Sequence, residues 1–156
     1  MKREIERKFL ITSNSFKQNI SSKYNIVQGY LSTDPSRSVR LRISNNMGYL
    51  TIKGGASKNG LSRLEWEKEL PIKEANELMS LCLANKIVKT RYKVNYKGRL
   101  FEIDIFKGIN KGLNIAEIEL NSEDDTFEKP KWLGKEITGI KKYYNSQLCQ
   151  NPFTKW

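Results

Sequence analysis

The sequence predicts an α+β fold that is mainly β: an eight-stranded antiparallel closed β-barrel with a few helices packed outside. Three observations predict it. Apolar and polar residues alternate in eight separated stretches, near residues 2–10, 25–32, 38–44, 48–53, 62–70, 87–97, 100–107 and 114–121. Turn signals lie between them: Asp34-Pro35-Ser36, Asn45-Asn46-Met47-Gly48, Gly54-Gly55, Asn59-Gly60 and Lys97-Gly98. Six of the stretches also put charges on one face: Glu4/Glu6/Lys8, Arg40/Arg42, Glu65/Glu67, Lys89/Arg91, Glu102/Asp104 and Glu117/Glu119. Side chains two apart on a strand share a face.

The opposite face settles how such strands assemble. In Val39-Arg40-Leu41-Arg42-Ile43 and in Phe101-Glu102-Ile103-Asp104-Ile105 the apolar set is intact. Burying both faces would strand lone charges at a cost of several kcal/mol each. Rolling the sheet into a barrel turns the apolar face outward against the helices and leaves the charges lining a wet interior.

The connections follow in order. A short helical piece is expected over Asn14–Asn19, and a longer helix over Lys73–Lys86, after Pro71, with Leu78, Leu81 and Cys82 on one side. Ser122 is placed to cap a helix over Glu123–Glu128, with Asp125 at the capping-box position and Pro130 ending it. A last helix is expected after Thr138, carrying Tyr143, Tyr144 and Leu148. With no repeat, low-complexity tract or linker, residues 1–156 read as one domain.

Composition bounds the chemistry. The formal charge of +11 points to an anionic partner, because such a field concentrates anions. The chain has no histidine, which removes the usual zinc ligand and the usual neutral-pH base. Cys82 and Cys149 are two widely spaced thiols, expected to be reduced and structural. There is no apolar leader and no run of about 20 apolar residues, so a cytoplasmic protein without a membrane span is expected.

Sorted by sign, the candidate interior holds Lys8, Arg40, Arg42, Lys53, Arg63, Lys89 and Arg91 against Glu4, Glu6, Glu65, Glu67, Glu102, Asp104, Glu117 and Glu119. Together they suit a strongly anionic substrate that arrives with divalent cations. Arginine forks and lysine point charges take phosphate oxygens, and carboxylates hold Mg²⁺ or Mn²⁺ against the same phosphates. All-oxygen ligation favours a hard ion over zinc. Any single Glu-x-Glu pair is more often a solvated strand face, so the weight lies on the six pairs together. Gly54-Gly55…Gly60 looks like half a P-loop, but Leu61-Ser62 follows where Lys-Ser/Thr is required, so it reads as a hairpin connection. Trp66, Trp132 and Trp156 read as outer packing, and Lys141-Lys142 as a surface pair with Lys142 near a tunnel mouth.

Glu4-Ile5-Glu6-Arg7-Lys8 resembles the E-x-E-x-K signature of the CYTH superfamily, the triphosphate tunnel metalloenzymes. Gln28-Gly29-Tyr30-Leu31, Arg40-x-Arg42, Thr51-Ile52-Lys53, Arg63-x-Glu65-x-Glu67, Lys89-Thr90-Arg91-Tyr92, Glu102-x-Asp104, Ala116-Glu117-Ile118-Glu119 and Trp132-Leu133-Gly134-x-Glu136-Ile137-Thr138 follow in the family's order. The resemblance covers nearly the whole chain and is to the compact bacterial members.

It implies a tunnel that binds a small triphosphate with Mg²⁺ or Mn²⁺, two ions being expected. Lys8, Arg40, Arg42, Lys53, Lys89 and Arg91 would bind the phosphate chain, with Arg63 beside them. Glu4, Glu6, Glu117 and Glu119 would hold metal, with Asp104 on the same acidic side. Tyr30 and Lys89 fall on positions associated with hydrolysis, and Glu65 and Glu67 are the candidate proton acceptors. The activity expected is hydrolysis of inorganic tripolyphosphate to pyrophosphate and phosphate. Adenylate cyclase and thiamine or nucleoside triphosphatase activities occur on the same fold. From another class stands a non-catalytic barrel gripping polyphosphate or RNA. Its eight carboxylates disfavour it, as does the lack of aromatics interleaved on the charged strands, so nucleic acid is not the expected partner. The family includes dimers, so a homodimer is a further expectation.

Overall fold

The computed structural model describes residues 1–156. Nine strands form one antiparallel sheet: β1 (Lys2–Ile11), β2 (Ile20–Ser32), β3 (Arg37–Ser44), β4 (Met47–Gly54), β5 (Ser62–Pro71), β6 (Ile87–Tyr96), β7 (Arg99–Phe106), β8 (Asn114–Glu119) and β9 (Leu133–Glu136). Two α-helices accompany them, α1 (Ile72–Met79) and α2 (Asn145–Leu148). No helix is long and apolar enough to cross a membrane.

The strand order is β5-β4-β3-β2-β6-β7-β8-β1-β9, and β5 pairs back onto β1, so eight strands close into a barrel. Strand β1 makes the closure by changing partners. Lys2–Ile5 pair with β5, Glu6–Leu10 pair with β8 on the other edge, and Phe9 and Ile11 meet β9 where β5 has left. The sequence reading lacks β9. Gly134 lies on this short strand, where a Cβ would come within 2.9 Å of the Leu10 carbonyl, so only glycine allows the approach.

Two hairpins carry the expected turn chemistry. Ser44 pairs with Met47 across Asn45-Asn46, whose φ values are 50° and 61°, and Tyr96 pairs with Arg99 across Lys97-Gly98 at 48° and 74°. Two consecutive positive φ angles match the twist of the flanking strands.

The helical expectations need correction. Residues 123–128 form no helix. The Asp125 carboxylate accepts from the Asn121 backbone N–H and from Arg99 instead, and Phe127 wedges edge-on between Phe9 and Phe101. The helix expected over 73–86 ends at Met79, where the Ser80 backbone N–H and hydroxyl both close on the Glu77 carbonyl. Residues 14–19 give only a 3-10 turn, and the last helix is the four-residue α2. Nor do helices cover most of the barrel. The aromatic cluster of Phe9, Phe16, Phe101 and Trp132 is sealed by the 15–19 turn and the irregular 120–132 segment, while α1 packs mainly at β3, β4 and β5.

The barrel's two ends differ. One is rimmed by the β3–β4 and β6–β7 hairpins. The other carries a second core of Tyr30, Ile87, Phe106, Leu113, Ile115, Ile137, Leu148 and Cys149, which seats α2 against the strand ends.

Candidate active site

Alternation along each strand delivers the charged side chains to the interior. Register shows which of them meet. Lys8 faces Glu117, Glu6 faces Glu119, Glu4 faces Arg63, Lys53 faces Glu65, Arg91 faces Asp104 and Glu102 faces Glu117. Read around the barrel, this order sorts the charges. Strands β4, β3 and β6 contribute Lys53, Arg40, Arg42, Lys89 and Arg91, and β2, between β3 and β6, contributes Tyr30. Strands β7, β8, β1 and β5 contribute the eight carboxylates, with Lys8 and Arg63 set among them. A cationic wall thus faces an acidic one across a cavity of about 380 Å³.

Every site residue proposed from the sequence lines this cavity except Asp104. Asp104 is fully buried behind the wall. Its carboxylate accepts from Lys89 Nζ at 2.6 Å, Arg91 Nε at 2.7 Å and Arg91 Nη2 at 2.8 Å. Both oxygens are engaged, which is the geometry of a counter-ion more than of a metal ligand. Burial would raise the Asp104 pKa, but Arg91 and Lys89 outweigh it and hold the carboxyl below its ordinary value.

The remaining charges form a linked set. Lys8 Nζ lies 2.6 Å from Glu117 and 2.9 Å from Glu6. Burial works to lower its pKa, yet these two carboxylates hold it well above the ordinary lysine value. Glu117, also reached by Arg91 at 3.3 Å, is held well below the carboxylate range by Lys8 and Arg91 despite its burial. Glu4 takes Lys53 at 2.7 Å and Arg63 at 3.3 Å, and Lys53 also reaches Glu65 at 3.0 Å. Glu102 pairs with Arg91. Glu119 reaches out of the cavity to Lys2.

Arg40 and Arg42 are the exception. They share one carboxylate, Glu67, at 3.6 Å each, and that oxygen already accepts from the Thr51 hydroxyl at 2.7 Å. Both Nε–H groups are buried without a partner. Burial and the neighbouring Arg40 charge push the Arg42 pKa below its usual value. A buried donor left unpaired costs about 1 to 3 kcal/mol; Arg40 Nη2 donates to the Thr51 hydroxyl at 3.1 Å, but no protein acceptor takes either Nε–H.

Two further groups are tuned. Burial lowers the Lys89 pKa to about 8, partly opposed by Asp104. Burial pushes the Tyr30 hydroxyl up to about 12, so it stays protonated, and its oxygen accepts from Gln28 Nε2 at 3.4 Å. The Asn145 side-chain oxygen, at the start of α2, accepts from Lys89 Nζ and Gln28 Nε2, both at 3.1 Å. It ties the apolar plug to the cavity floor.

Sequence reasoning missed Asn145, Tyr144 and Ser146, which line the cavity from outside the barrel strands. It also missed Ser38, two residues before Arg40, which the same period would have found. Lys142 stays away from the cavity, with its ammonium 4.3 Å from the Trp156 ring centre. Cys82 and Cys149 are free and buried, and burial pushes the Cys149 thiol up to about 12.

The model of the CYTH domain matches residues 2–147. The chain belongs to the CYTH domain family. An inorganic triphosphatase of Acetivibrio thermocellus is 46% identical over 154 residues, covering 98% of this chain and 97% of that protein. One of Nitrosomonas europaea is 36% identical over 151 residues, covering 94% and 96%. Among solved structures, that of an inorganic triphosphatase superposes with a TM-score of 0.67 at 32% identity, covering 96% of this chain and 95% of that one. A putative adenylyl cyclase from Hippeastrum, described as having a dominant triphosphatase activity, shares the fold at 16% identity and a TM-score of 0.62 over 76% of this chain and 80% of that one. In CYTH terms the E-x-E-x-K strand is β1, and it borders the acidic wall on both edges.

Proposed function

We propose that this chain is a metal-dependent inorganic triphosphatase that hydrolyses tripolyphosphate to pyrophosphate and phosphate inside the barrel. The observation that carries this reading is the wall of Arg40 and Arg42, two half-buried guanidiniums with buried, unpartnered Nε–H groups and one distant carboxylate between them. Phosphate oxygens are the acceptors that fit a planar guanidinium fork. The relatives named inorganic triphosphatase support the same substrate class.

The donor set fits a hard cation. Glu6 stands directly opposite Glu119, and Glu102 opposite Glu117. Like charges directly opposed destabilise a sheet; Lys8, Arg91 and Lys2 offset part of that repulsion, and a bound cation would offset more. No three acidic side chains make a ready cage, but Mg²⁺ typically uses one or two carboxylates together with substrate phosphates and water. Glu4, Glu6, Glu117 and Glu119 would hold Mg²⁺ or Mn²⁺, two ions in our reading. A bound ion would neutralise phosphoryl charge and acidify its coordinated water.

The chain's own residues divide the remaining work. Arg40, Arg42, Lys53 and Arg91 bind and orient the phosphate chain against the acidic wall, with Lys8 and Arg63 holding its carboxylates in place. Tyr30, protonated at all ordinary pH values, donates a hydrogen bond from the floor. Lys89 holds its proton below pH about 8 and places an ammonium beside the phosphates. Glu65 and Glu67 are the acceptors for the proton of the attacking water. Asp104, bonded to both Lys89 and Arg91, positions them. We place the protein in the cytoplasm, in line with its free buried thiols.

The test is phosphate release from tripolyphosphate, ATP and thiamine triphosphate, each with Mg²⁺, with Mn²⁺ and with EDTA. Fast metal-dependent release from tripolyphosphate and little from the others is expected. Tight triphosphate binding that survives EDTA, with no release from any of the three, would overturn the hydrolase in favour of a binding barrel.

A further inference from the structure

The cavity is lined by seven Lys or Arg and seven Glu side chains, so the chain's formal +11 resides outside it. An anion inside therefore meets little net field. What differs is what lies at the two ends. Toward the hairpin end the lining finishes in ion pairs: Glu119 with Lys2, Glu102 with Arg91 and with Lys93 at 4.0 Å, and Glu67 with Arg40 and Arg42 at 3.6 Å each. At the other end, beside the apolar plug, a recess of about 580 Å³ opens between the β2–β3 loop, the β4–β5 loop and residues 138–147.

We propose that this recess is a second, wholly cationic anion site that receives released orthophosphate on its way out, an inference that rests on the triphosphatase reading. Lys58, Arg63 and Lys141 line it and no carboxylate does. Two carboxylates on the bordering segments are engaged elsewhere. Asp34 accepts from Ser36 and Arg37, and Glu123 accepts from Asn59 and Ser62. The recess is continuous with the barrel cavity, because Ser38, Arg63, Tyr144 and Ser146 line both. Arg63 spans the boundary: its Nε lies 3.3 Å from Glu4 inside, and its guanidinium sits 5.8 Å from the Tyr144 ring centre.

The walls are built rather than loose. Gly60 and Gly139, both at positive φ, meet backbone to backbone, and a Cβ on Gly60 would lie 2.4 Å from the Gly139 Cα. This contact locks the β4–β5 loop onto the 138–140 turn. A phosphate dianion leaving a near-neutral cavity meets paired charges at the hairpin end and is attracted toward the carboxylate-free recess of Lys58, Arg63 and Lys141 at the other. The tunnel thus has a direction.

The test uses the full chain and the variant Lys58→Ala/Lys141→Ala. Both side chains are exposed and lie outside the cavity machinery, and melting curves check that the variant folds. Calorimetric titration with orthophosphate, without metal or turnover, should find two sites in the wild type and one in the variant. In steady-state assays orthophosphate should inhibit the wild type with a noncompetitive component. That component should weaken about tenfold in the variant, or about 1.4 kcal/mol, while the KM for tripolyphosphate changes by less than about twofold. Lys58→Glu should abolish the noncompetitive component. A chain that hydrolyses tripolyphosphate but shows one orthophosphate site in wild type and variant alike overturns this site and leaves the function standing. A chain that binds orthophosphate through Lys58 and Lys141 yet hydrolyses no triphosphate overturns the function and leaves the anion site.

Discussion

Replacing Asp104 by Asn removes a charge that two buried cations share. Lys89 is 2% exposed and Arg91 7% exposed, and Asp104 bonds both within 2.8 Å. Removing one member of a buried ion pair costs about 3 to 5 kcal/mol when the remaining charge has no outlet. Here both partners have one. Lys89 can shed its proton, since its pKa of about 8 stands close to neutrality, and Arg91 keeps Glu102 and Glu117. The loss therefore falls at the low end, about 3 kcal/mol, which lowers the melting temperature by about 6 to 12 °C for a domain of this size. The assay is thermal unfolding followed by circular dichroism at pH 7 in EDTA. Metal-free conditions separate the two roles open to Asp104. A metal ligand that stands idle without metal would leave the metal-free melting temperature unchanged or raise it, because losing its charge relieves the acidic wall. A shift of less than about 2 °C, under about 1 kcal/mol, would refute the counter-ion role and return Asp104 to the metal ligands expected from the sequence.

The other predictions concern charge and packing in the same walls. Lys89, lowered to about 8 by burial, should regain its proton when a polyanion binds, so triphosphate binding at pH 9 takes up protons and weakens as pH rises past 8. The sign for stability agrees: between pH 8 and 10.5 the unfolded chain binds more protons, so the penalty Lys89 imposes on the fold fades as pH rises through that window. Calorimetry in buffers of different ionisation enthalpy reads the uptake, and its persistence in Lys89→Arg would contradict the assignment. Glu4→Gln frees Lys53 and Arg63, so metal-free triphosphate binding should tighten while metal activation weakens at least about tenfold. Unchanged activity in that variant would remove Glu4 from the metal set. Gly48→Ala places a Cβ 2.3 Å from that of Ala75 on α1, an overpacking worth about 1 to 3 kcal/mol, and a melting temperature equal to wild type would show that α1 can shift freely.

Much of the barrel was legible because its signals are local. Period-two alternation needs only neighbours along one strand, and Asn45-Asn46 and Lys97-Gly98 carry their hairpins in two residues each. The same period named the interior charges, down to Arg40 and Arg42. What failed were segments whose conformation is set by distant partners. Ser122-to-Glu128 has the composition of a capped helix, but Arg99 from β7 takes the Asp125 carboxylate and Phe9 and Phe101 take the Phe127 ring. Strand β9 exists because β5 leaves β1 after Ile5, which is a fact of topology and not of residues 133–136.

The sequence alone therefore determined the strand count of the barrel, the face each charge occupies and the polyanion chemistry those charges suit, since each follows from spacing along the chain. Only the tertiary structure decided which charges meet. Strand order, not spacing, sorts the interior into a cationic wall carried by β4, β3 and β6 and an acidic wall on β7, β8, β1 and β5. Register gives Asp104 to Lys89 and Arg91 and leaves Arg40 and Arg42 short of acceptors. Coulomb energy depends on distance through space, and in a closed sheet that distance is set by pairing between strands far apart in sequence.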